Sequence, residues 1–297
     1  MRHIGLVLGL LLALLPQAGL AFTVTDQTGR RVELAAPPER IVSLVPSVTE
    51  IVFTIGAQDR LAGVTDFCDF PPAARSKPRV GGMIAPNLES IVALGPDLVV
   101  ATTEGNRHET FDQLATLKIP VYLVNPATVD GVLELVARLG RLTGRAAAAD
   151  RVVGRLRDRI QVVSARVAGR PRPRVLYVLW PEPLIVPGHG ALVSELITLA
   201  GGDSVTADGG AGYPRYSMEA ALARNPEVIL IAGHDGTGSP LVRSRWERFT
   251  QVPAVRAGRL HVVDGNLMHR YGPRIVDGLE ALARLIHPAA FEKAALR

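Results

Sequence analysis

Two glutamates, Glu89 and Glu219, occupy the same place in a segment that this chain carries twice. Residues 88–102 read LESIVALGPDLVVAT and residues 218–232 read MEAALARNPEVILIA, and the two align without a gap. A carboxylate at the start of a helix gains about 0.3–1 kcal/mol from the helix dipole, which explains either glutamate alone. The dipole does not explain why both copies present the same acid. We therefore expect Glu89 and Glu219 to form charge pairs with two basic pockets of a symmetric partner.

Histidine and cysteine could provide metal or nucleophilic chemistry. His189, His234 and His269 fall in loops expected to border a ligand, with Asp235 beside His234. No pair of histidines has the short spacing of a metal-ligand motif, so we predict no metal site. A bare metal-ion receptor that uses these histidines is the alternative. Cys68, the one cysteine, has no neighbouring base to activate it, which predicts an inert thiol.

Large side chains in the expected loops suit a bulky ligand with a flat face. Aromatic residues form only 5% of the chain, and Phe67, Trp180 and Tyr213 are candidates for flat apolar contacts. Arg270 and Arg274 could donate charge-assisted hydrogen bonds to the same ligand. We assign the remaining large aromatic residues of these loops to ordinary packing: Phe70, Trp246 and Tyr271.

The sequence lacks the motifs of the common α/β enzymes. It contains no G-x-x-x-x-G-K-[ST] phosphate loop, no G-x-G-x-x-G after a strand and no G-x-S-x-G nucleophile elbow. The formal net charge is +5, and the arginines are interrupted by acids and apolar residues. That spacing favours solvated helix faces over a nucleic-acid surface. We predict a binding protein that is not an enzyme and does not bind nucleic acid.

Residues 1–21 have the three-part pattern of a cleavable secretory signal. A charged start precedes an apolar run from Ile4 to Leu15, and small residues lead to Ala21. The apolar run is shorter than the roughly 20 residues that span a bilayer. Cys68 lies far from the cleavage site, so a lipid-bearing N-terminal cysteine is missing. We predict a soluble monomer in the periplasm.

Patterns of helices and strands alternate along the chain, which predicts mostly parallel sheets. Ligands of such folds lie beyond the carboxyl ends of the strands. Ser47 and Glu50 have the spacing of a capping box that opens the first helix. The loops expected to reach a ligand are 45–47, 66–70, 82–87, 102–106, 180–189, 208–215, 233–240 and 264–273.

Between the two copies, residues 146–168 predict one long amphipathic helix. Apolar residues recur there at steps of three and four, which gives a single apolar stripe. The copies themselves predict two similar α/β lobes, since each consists of a helix, a turn and a buried strand. We expect the long helix to be a stiff connection between the lobes. A helix buried within one domain is the alternative.

Several short stretches match one family of binding proteins. They are Arg40–Leu44 with Pro46, Thr49 and Glu50; Asp69–Pro72; Asn87–Glu89; Ile91–Leu94; Pro96–Val99; Gly105 and Asn106; Asp112–Leu114; and Arg270, Pro273 and Arg274. Together they resemble the periplasmic substrate-binding proteins of ABC importers for vitamin B12, haem and ferric siderophores, and most of all the members that bind vitamin B12. The resemblance covers essentially the whole mature chain.

The resemblance implies two Rossmann-like α/β lobes joined by a single long rigid helix, with the ligand cleft between the lobes. The expected divisions are a signal peptide at 1–21, an N-terminal lobe at 22–144, a connecting helix at 145–170 and a C-terminal lobe at 171–297. Because the connection is a stiff helix, we expect the lobes to close only slightly on the ligand.

The resemblance also implies a receptor that captures a bulky chelate and delivers it to a permease dimer with a cytoplasmic ATPase. Glu89 and Glu219 match the glutamates that dock on the permease in this family. Met83 and Thr102 stand where the vitamin B12 binders have tryptophan. We expect cobalamin or another corrinoid as the ligand, a ferric siderophore or haem as the alternative, and no resident cofactor. The ligand contacts implied are Phe67, Met83, Trp180, Tyr213, Asn266 and Arg270.

Overall fold

A computed structural model describes residues 22–233 and 240–292 of the chain. The predicted signal peptide at 1–21, and His234 with Asp235, lie outside the described residues. Two four-stranded parallel sheets form the centre of the described part, in agreement with the predicted fold class. None of its helices is both long and apolar enough to cross a membrane.

The first sheet and the helices around it form the N-terminal lobe. A two-stranded antiparallel hairpin precedes the sheet, as β1 (Phe22–Thr25) and β2 (Arg31–Leu34). The strands of the sheet are β3 (Ile41–Ser43), β4 (Leu61–Val64), β5 (Leu98–Thr102) and β6 (Val121–Val124), in the order β4-β3-β5-β6. The helices are α1 (Pro46–Thr54), α2 (Leu88–Ala93), α3 (His108–Thr116) and α4 (Val129–Leu142), with 3-10 turns at Gln58–Arg60 and Pro72–Ser76.

A long helix, α5 (Ala146–Val167), leads to the second sheet and its helices, the C-terminal lobe. The strands are β7 (Arg174–Val178), β8 (Trp180–Pro181), β9 (Leu184–Ile185), β10 (Asp203–Ser204), β11 (Val228–Gly233) and β12 (Leu260–Asp264). The order in the sheet is β10-β7-β11-β12, and β8 and β9 form a small hairpin. The helices are α6 (Leu192–Leu199), α7 (Met218–Ala223), α8 (Pro240–Glu247), α9 (Pro253–Arg256), α10 (Gly265–His269), α11 (Ile275–Ile286) and α12 (Pro288–Phe291).

The repeated segment forms the same structure in both lobes, as predicted. The first copy is α2 followed by β5, and the second is α7 followed by β11. Each helix begins at a side-chain cap, Asn87 in one lobe and Ser217 in the other. Gly95 and Asn225 both adopt positive φ, at 53° and 51°, where each helix turns toward its strand.

The helix predicted at 146–168 is α5, and it contacts both lobes. It packs against α4 on one side and against α11 on the other. The Arg159 guanidinium fixes it to α11 through Asp277 and Glu280, at N–O distances of 2.6 and 2.8 Å. The apolar side of α5 enters a core cluster that also contains Val100 of the first sheet and Leu230 of the second. The helix therefore connects the lobes, while the exact lobe boundaries stay a prediction.

Two local predictions were wrong. Residues 264–273 contain a short helix, α10, which begins where the Asp264 carboxylate accepts a hydrogen bond from the Asn266 N–H. Ser47 and Glu50 do not form a capping box, because α1 begins at Val45 without any side-chain cap. The Glu50 side chain is instead buried and binds Arg274 of the other lobe.

Candidate ligand-binding cleft

A cavity lies where the carboxyl ends of the first sheet face the segment after β12. Residues at or just after the ends of β3, β5 and β6 form part of its wall, as expected for the carboxyl edge of a parallel sheet. The volume is about 160 Å³, which is smaller than the roughly 300–1,000 Å³ of ordinary small-molecule sites. A bulky ligand would therefore occupy it only in part. The lining residues are Val45, Pro46, Ser47, Met83, Thr102, Glu104, Val124, Asn125, Pro126, His269, Arg270 and Tyr271.

Large apolar side chains are also exposed in segments that follow strands of the two sheets. Phe67 is 57% exposed and Trp180 is 42% exposed, although both are large and apolar. Ile84 is 60% exposed and lies beside Met83. The Trp180 indole N–H donates to the Glu182 carbonyl at 3.0 Å, which orients the ring without burying it. Such surfaces are ready to cover the flat face of a ligand.

Asn106 holds two of the cavity loops together. Its carboxamide oxygen accepts a hydrogen bond from the Thr102 N–H at 2.8 Å, and its NH₂ group donates to the Met83 carbonyl at 2.6 Å. Between them, Gly105 has φ 114°, and a Cβ at this position would overlap the terminal methyl of Met83. Only glycine meets both conditions. The loop after β5 thus fixes the position of Met83, which the sequence predicted as a ligand contact.

A cluster of three phenols and an imidazole forms the C-terminal side of the cleft. The Tyr213 and Tyr271 hydroxyls are hydrogen-bonded at 2.7 Å, and the Tyr177 hydroxyl lies 2.8 Å from His269 Nε2. The His269 ring also meets the rings of Tyr177 and Tyr213 edge to face. Burial raises the pKa of all three phenols above its ordinary value, so they stay protonated at neutral pH.

Two arginines of the C-terminal lobe bind carboxylates of the N-terminal lobe beside the cavity. The Arg274 guanidinium donates to both oxygens of Glu50, at 2.9 and 2.5 Å, and it stacks on the Phe70 ring at 3.8 Å. The Arg270 guanidinium donates to both oxygens of Asp69. Glu50 is only 2% exposed. Burial raises the pKa of its carboxyl, and the hydrogen bond from Arg274 partly offsets that rise.

The structure brings some of the predicted ligand residues together. Met83 and Arg270 line the cavity, and Tyr213 joins it through the hydroxyl of Tyr271. Asn266 lies half-buried in α10 and is not among the cavity residues. Arg274 belongs to the ion pair with Glu50 instead of the cavity wall.

Ser47 and Glu104 lie in loops that the sequence predicted to reach a ligand, although neither was named as a contact; Asn125 lies outside those loops, and Tyr271 was assigned to packing. Each of the first three stands within four residues of the end of a parallel strand. That position is a usable signal, because strand carboxyl ends meet at one edge of a sheet. Tyr271 lies just after α10, inside the loop 264–273 that was expected to reach a ligand.

The two repeated glutamates lie exposed at the starts of their helices. A helix that leads into a parallel strand runs against it, so its N-terminus lies at the carboxyl edge of the sheet, where the cleft opens. The Ser217 hydroxyl donates to the Glu219 carboxylate at 2.7 Å and lowers the pKa of that carboxyl. Glu89 and Glu219 are therefore displayed on the cleft side of each lobe.

Neither histidines nor Cys68 form a reactive cluster within residues 22–233 and 240–292. No group of three His, Cys, Asp or Glu residues there could hold a metal ion. Cys68 is buried, and the Thr49 and Thr65 hydroxyls each lie 3.2 Å from its sulfur.

Comparison with known proteins finds a matching family and individual relatives that align with most of this chain. The family described as "Periplasmic binding protein" matches residues 41–267. The vitamin B12-binding protein of Vibrio cholerae is 29% identical over 244 residues, 82% of this chain and 87% of the relative. That of Salmonella typhimurium is 31% identical over 242 residues, also 82% of this chain and 87% of the relative.

Solved structures with this fold include binders of two kinds of chelate. The periplasmic vitamin B12-binding protein of Vibrio cholerae has a TM-score of 0.75 and 28% identity, covering 86% of this chain and 99% of its own. A periplasmic haem-binding protein from Pseudomonas aeruginosa has a TM-score of 0.75 and 27% identity, covering 85% of this chain and 94% of its own.

Proposed function

This chain belongs to the periplasmic binding protein family, and we propose that it captures a corrinoid, with cobalamin as the best candidate, for an ABC importer. One observation carries the choice of ligand. Two vitamin B12-binding proteins are 29% and 31% identical in sequence to this chain, each over 82% of its length. The site supports it, because exposed Phe67 and Trp180 and the partly apolar cavity suit a large flat ligand.

Within this proposal the protein is a receptor and not an enzyme. It acts in the periplasm after removal of residues 1–21, and it works as a monomer. Phe67, Met83, Trp180, Tyr213 and Arg270 contact the ligand, and Asn266 approaches it from α10.

Haem is the second candidate, and a specific observation favours it. His269 and Tyr271 line the cavity, and imidazole and phenol groups are known axial ligands of haem iron. A haem-binding protein of the same fold is 27% identical to this chain.

Calorimetric titration of the mature protein with cyanocobalamin, haemin, a ferric siderophore and Zn²⁺ separates these candidates. The proposal expects micromolar or tighter binding of cyanocobalamin and weaker binding of the other three. Tighter binding of haemin would move the assignment to haem. Binding of Zn²⁺ without cyanocobalamin would support a bare metal-ion receptor and overturn the proposal.

We propose that Glu89 and Glu219 dock the receptor on a permease dimer. Replacing both (Glu89→Ala with Glu219→Ala) should abolish ligand uptake by cells while leaving ligand affinity unchanged, because both lie at helix starts and outside the cavity. Uptake by the wild type should also fall at high salt, since exposed charge pairs are screened.

A charge-matched double variant, Glu39→Ala with Glu247→Ala, serves as the control, because it removes one exposed acid from each lobe. It should keep normal uptake. Normal uptake in the Glu89 and Glu219 double variant would refute the docking proposal.

A further inference from the structure

We infer that Glu104 makes the cleft distinguish amide groups from carboxylate groups at the edge of the chelate, so that a fully amidated corrinoid is preferred over its acids. The inference rests on the proposed function and concerns a residue that no family resemblance assigns. It follows from the charges around the cavity, from the chemistry of a carboxylate and from the loop that holds Glu104.

The cavity wall contains one carboxylate side chain, Glu104, and one guanidinium side chain, Arg270. The Arg270 guanidinium is already bound to Asp69, and a Glu50 oxygen lies 3.9 Å away. Arg274, the next arginine, is bound to Glu50. Each of these guanidinium groups is therefore matched by a carboxylate of the protein. An anionic group of the ligand would have to displace one of those partners.

The Glu104 carboxylate is different, because no described residue forms a hydrogen bond or ion pair with it. Its backbone N–H donates to the Thr102 hydroxyl at 3.1 Å, and Asn106 fixes the same loop. The backbone is thus held while the side chain reaches an exposed part of the cavity wall. Tyr271 lines the same cavity. Burial is the main cause that raises the pKa of Tyr271, and the Glu104 carboxylate adds to that rise.

A carboxylate only accepts hydrogen bonds, whereas a primary amide presents two N–H donors. An amide of the ligand can therefore donate to Glu104. A carboxylate in the same place offers no proton and adds repulsion between like charges. The two groups have nearly the same size and shape, so steric fit cannot separate them. Corrinoids carry primary amides around the ring, while haem carries two carboxylates, and Glu104 favours the first class.

The test uses cyanocobalamin and its separated monocarboxylic acids, each of which differs from it by one amide converted to a carboxylate. Affinities are measured by calorimetry at low ionic strength for the wild type, Glu104→Gln and Glu104→Lys. At least one acid should bind the wild type about threefold or more weakly than cyanocobalamin, the scale of one like-charge contact near a protein surface. Glu104→Gln should remove that difference, and Glu104→Lys should reverse it.

Glu39→Gln is the control, because Glu39 precedes β3 and so lies at the opposite edge of the sheet from the cavity. It should keep the wild-type difference. The difference should also shrink as salt is added, since the Debye length falls from about 10 Å at 0.1 M to about 3 Å at 1 M.

Equal binding of every acid and cyanocobalamin by the wild type would overturn the inference, and so would an unchanged difference in Glu104→Gln. In both cases, tight binding of cyanocobalamin would leave the proposed function standing. A wild type that does not bind cyanocobalamin would overturn the proposed function and the inference together.

Discussion

Four glutamates show how the surroundings of a side chain decide what it does. Glu50 is buried and bound to an arginine, Glu104 stands on the cavity wall without a described partner, and Glu89 and Glu219 stand exposed at helix starts. A buried carboxylate needs a cation because leaving water is costly for a charge. An exposed carboxylate stays solvated and is free to meet a ligand or a partner.

The two tryptophans show the same contrast for aromatic residues. Trp180 is 42% exposed, whereas Trp246 is 1% exposed and belongs to the core of the C-terminal lobe. We expect Trp180→Ala to weaken ligand binding about tenfold, a loss of roughly 1.4 kcal/mol, because we propose that this exposed ring contacts the ligand and it belongs to none of the core clusters. The free energy of unfolding of the Trp180→Ala variant should differ from that of the wild type by less than about 0.5 kcal/mol.

Trp246→Ala is the matched variant and should lower the free energy of unfolding by about 3–5 kcal/mol, because it leaves a large cavity. Urea unfolding and calorimetric titration of both variants check the pair. A Trp180→Ala protein with full affinity would remove Trp180 from the ligand site.

At the scale of elements, close packing of α4 on α5 fixes the connecting helix to the N-terminal lobe. Gly140 allows the approach, since a Cβ at this position would overlap the Cβ of Ala149. On the other side, Arg159 binds Asp277 and Glu280 of α11. The helix is thus held from both lobes.

Two glycine substitutions test this packing. Gly140→Ala should lower the free energy of unfolding by about 1–3 kcal/mol, because overpacking forces the two helices apart. Gly154→Ala on α5 is the control: a Cβ there would meet nothing within 4 Å, and alanine favours a helix over glycine by about 0.8–1 kcal/mol. It should therefore be stabilising. Thermal unfolding of both variants measures the difference, and equal effects would contradict the packing argument.

At the scale of the whole molecule, ion pairs and a cap join the lobes beside the cleft. The pairs are Glu50 with Arg274 and Asp69 with Arg270. The Glu195 carboxylate of α6 also accepts a hydrogen bond from the Val129 N–H at 2.9 Å, where α4 begins. These contacts and the shared core hold one relative placement of the two sheets.

Removing Arg274 should make stability depend strongly on pH. Arg274→Met leaves the buried Glu50 carboxylate without its main partner, which we expect to cost about 3–5 kcal/mol at pH 7. Burial already raises the Glu50 pKa, and losing Arg274 removes the chief opposing cause. A carboxyl whose folded pKa exceeds its unfolded pKa takes up a proton first in the folded state. Stability should then rise as the pH falls through the folded pKa toward 4.5, the ordinary value.

Urea unfolding between pH 5 and pH 8 checks this expectation. Adding Glu50→Gln to Arg274→Met should recover much of the stability at pH 7 and flatten the pH dependence. Arg243→Met is the control, since its pair with Glu247 is exposed and worth less than about 1 kcal/mol. Equal and pH-independent effects of Arg274→Met and Arg243→Met would show that the pair with Glu50 is unimportant.

The sequence by itself determined most of the helices and strands, and it predicted the carboxyl edge of the sheets as the place for a ligand. Helix periodicity gave α5, the glycine and asparagine turns gave the ends of α2 and α7, and apolar runs gave the parallel strands. These signals are local, since they depend on residues only a few positions apart. The repeated segment predicted two similar α/β lobes, and the two parallel sheets of the structure confirm them.

Only the tertiary structure decided which side chains meet. Glu50 looked like a cap for its own helix, yet its partner Arg274 is 224 residues away. Tyr271 reached the cavity, and Glu104 was left without a described partner while the nearby arginines were already bound. The physical reason is that such contacts depend on how two sheets, formed by distant parts of the chain, are placed against each other. No spacing along the chain encodes that placement.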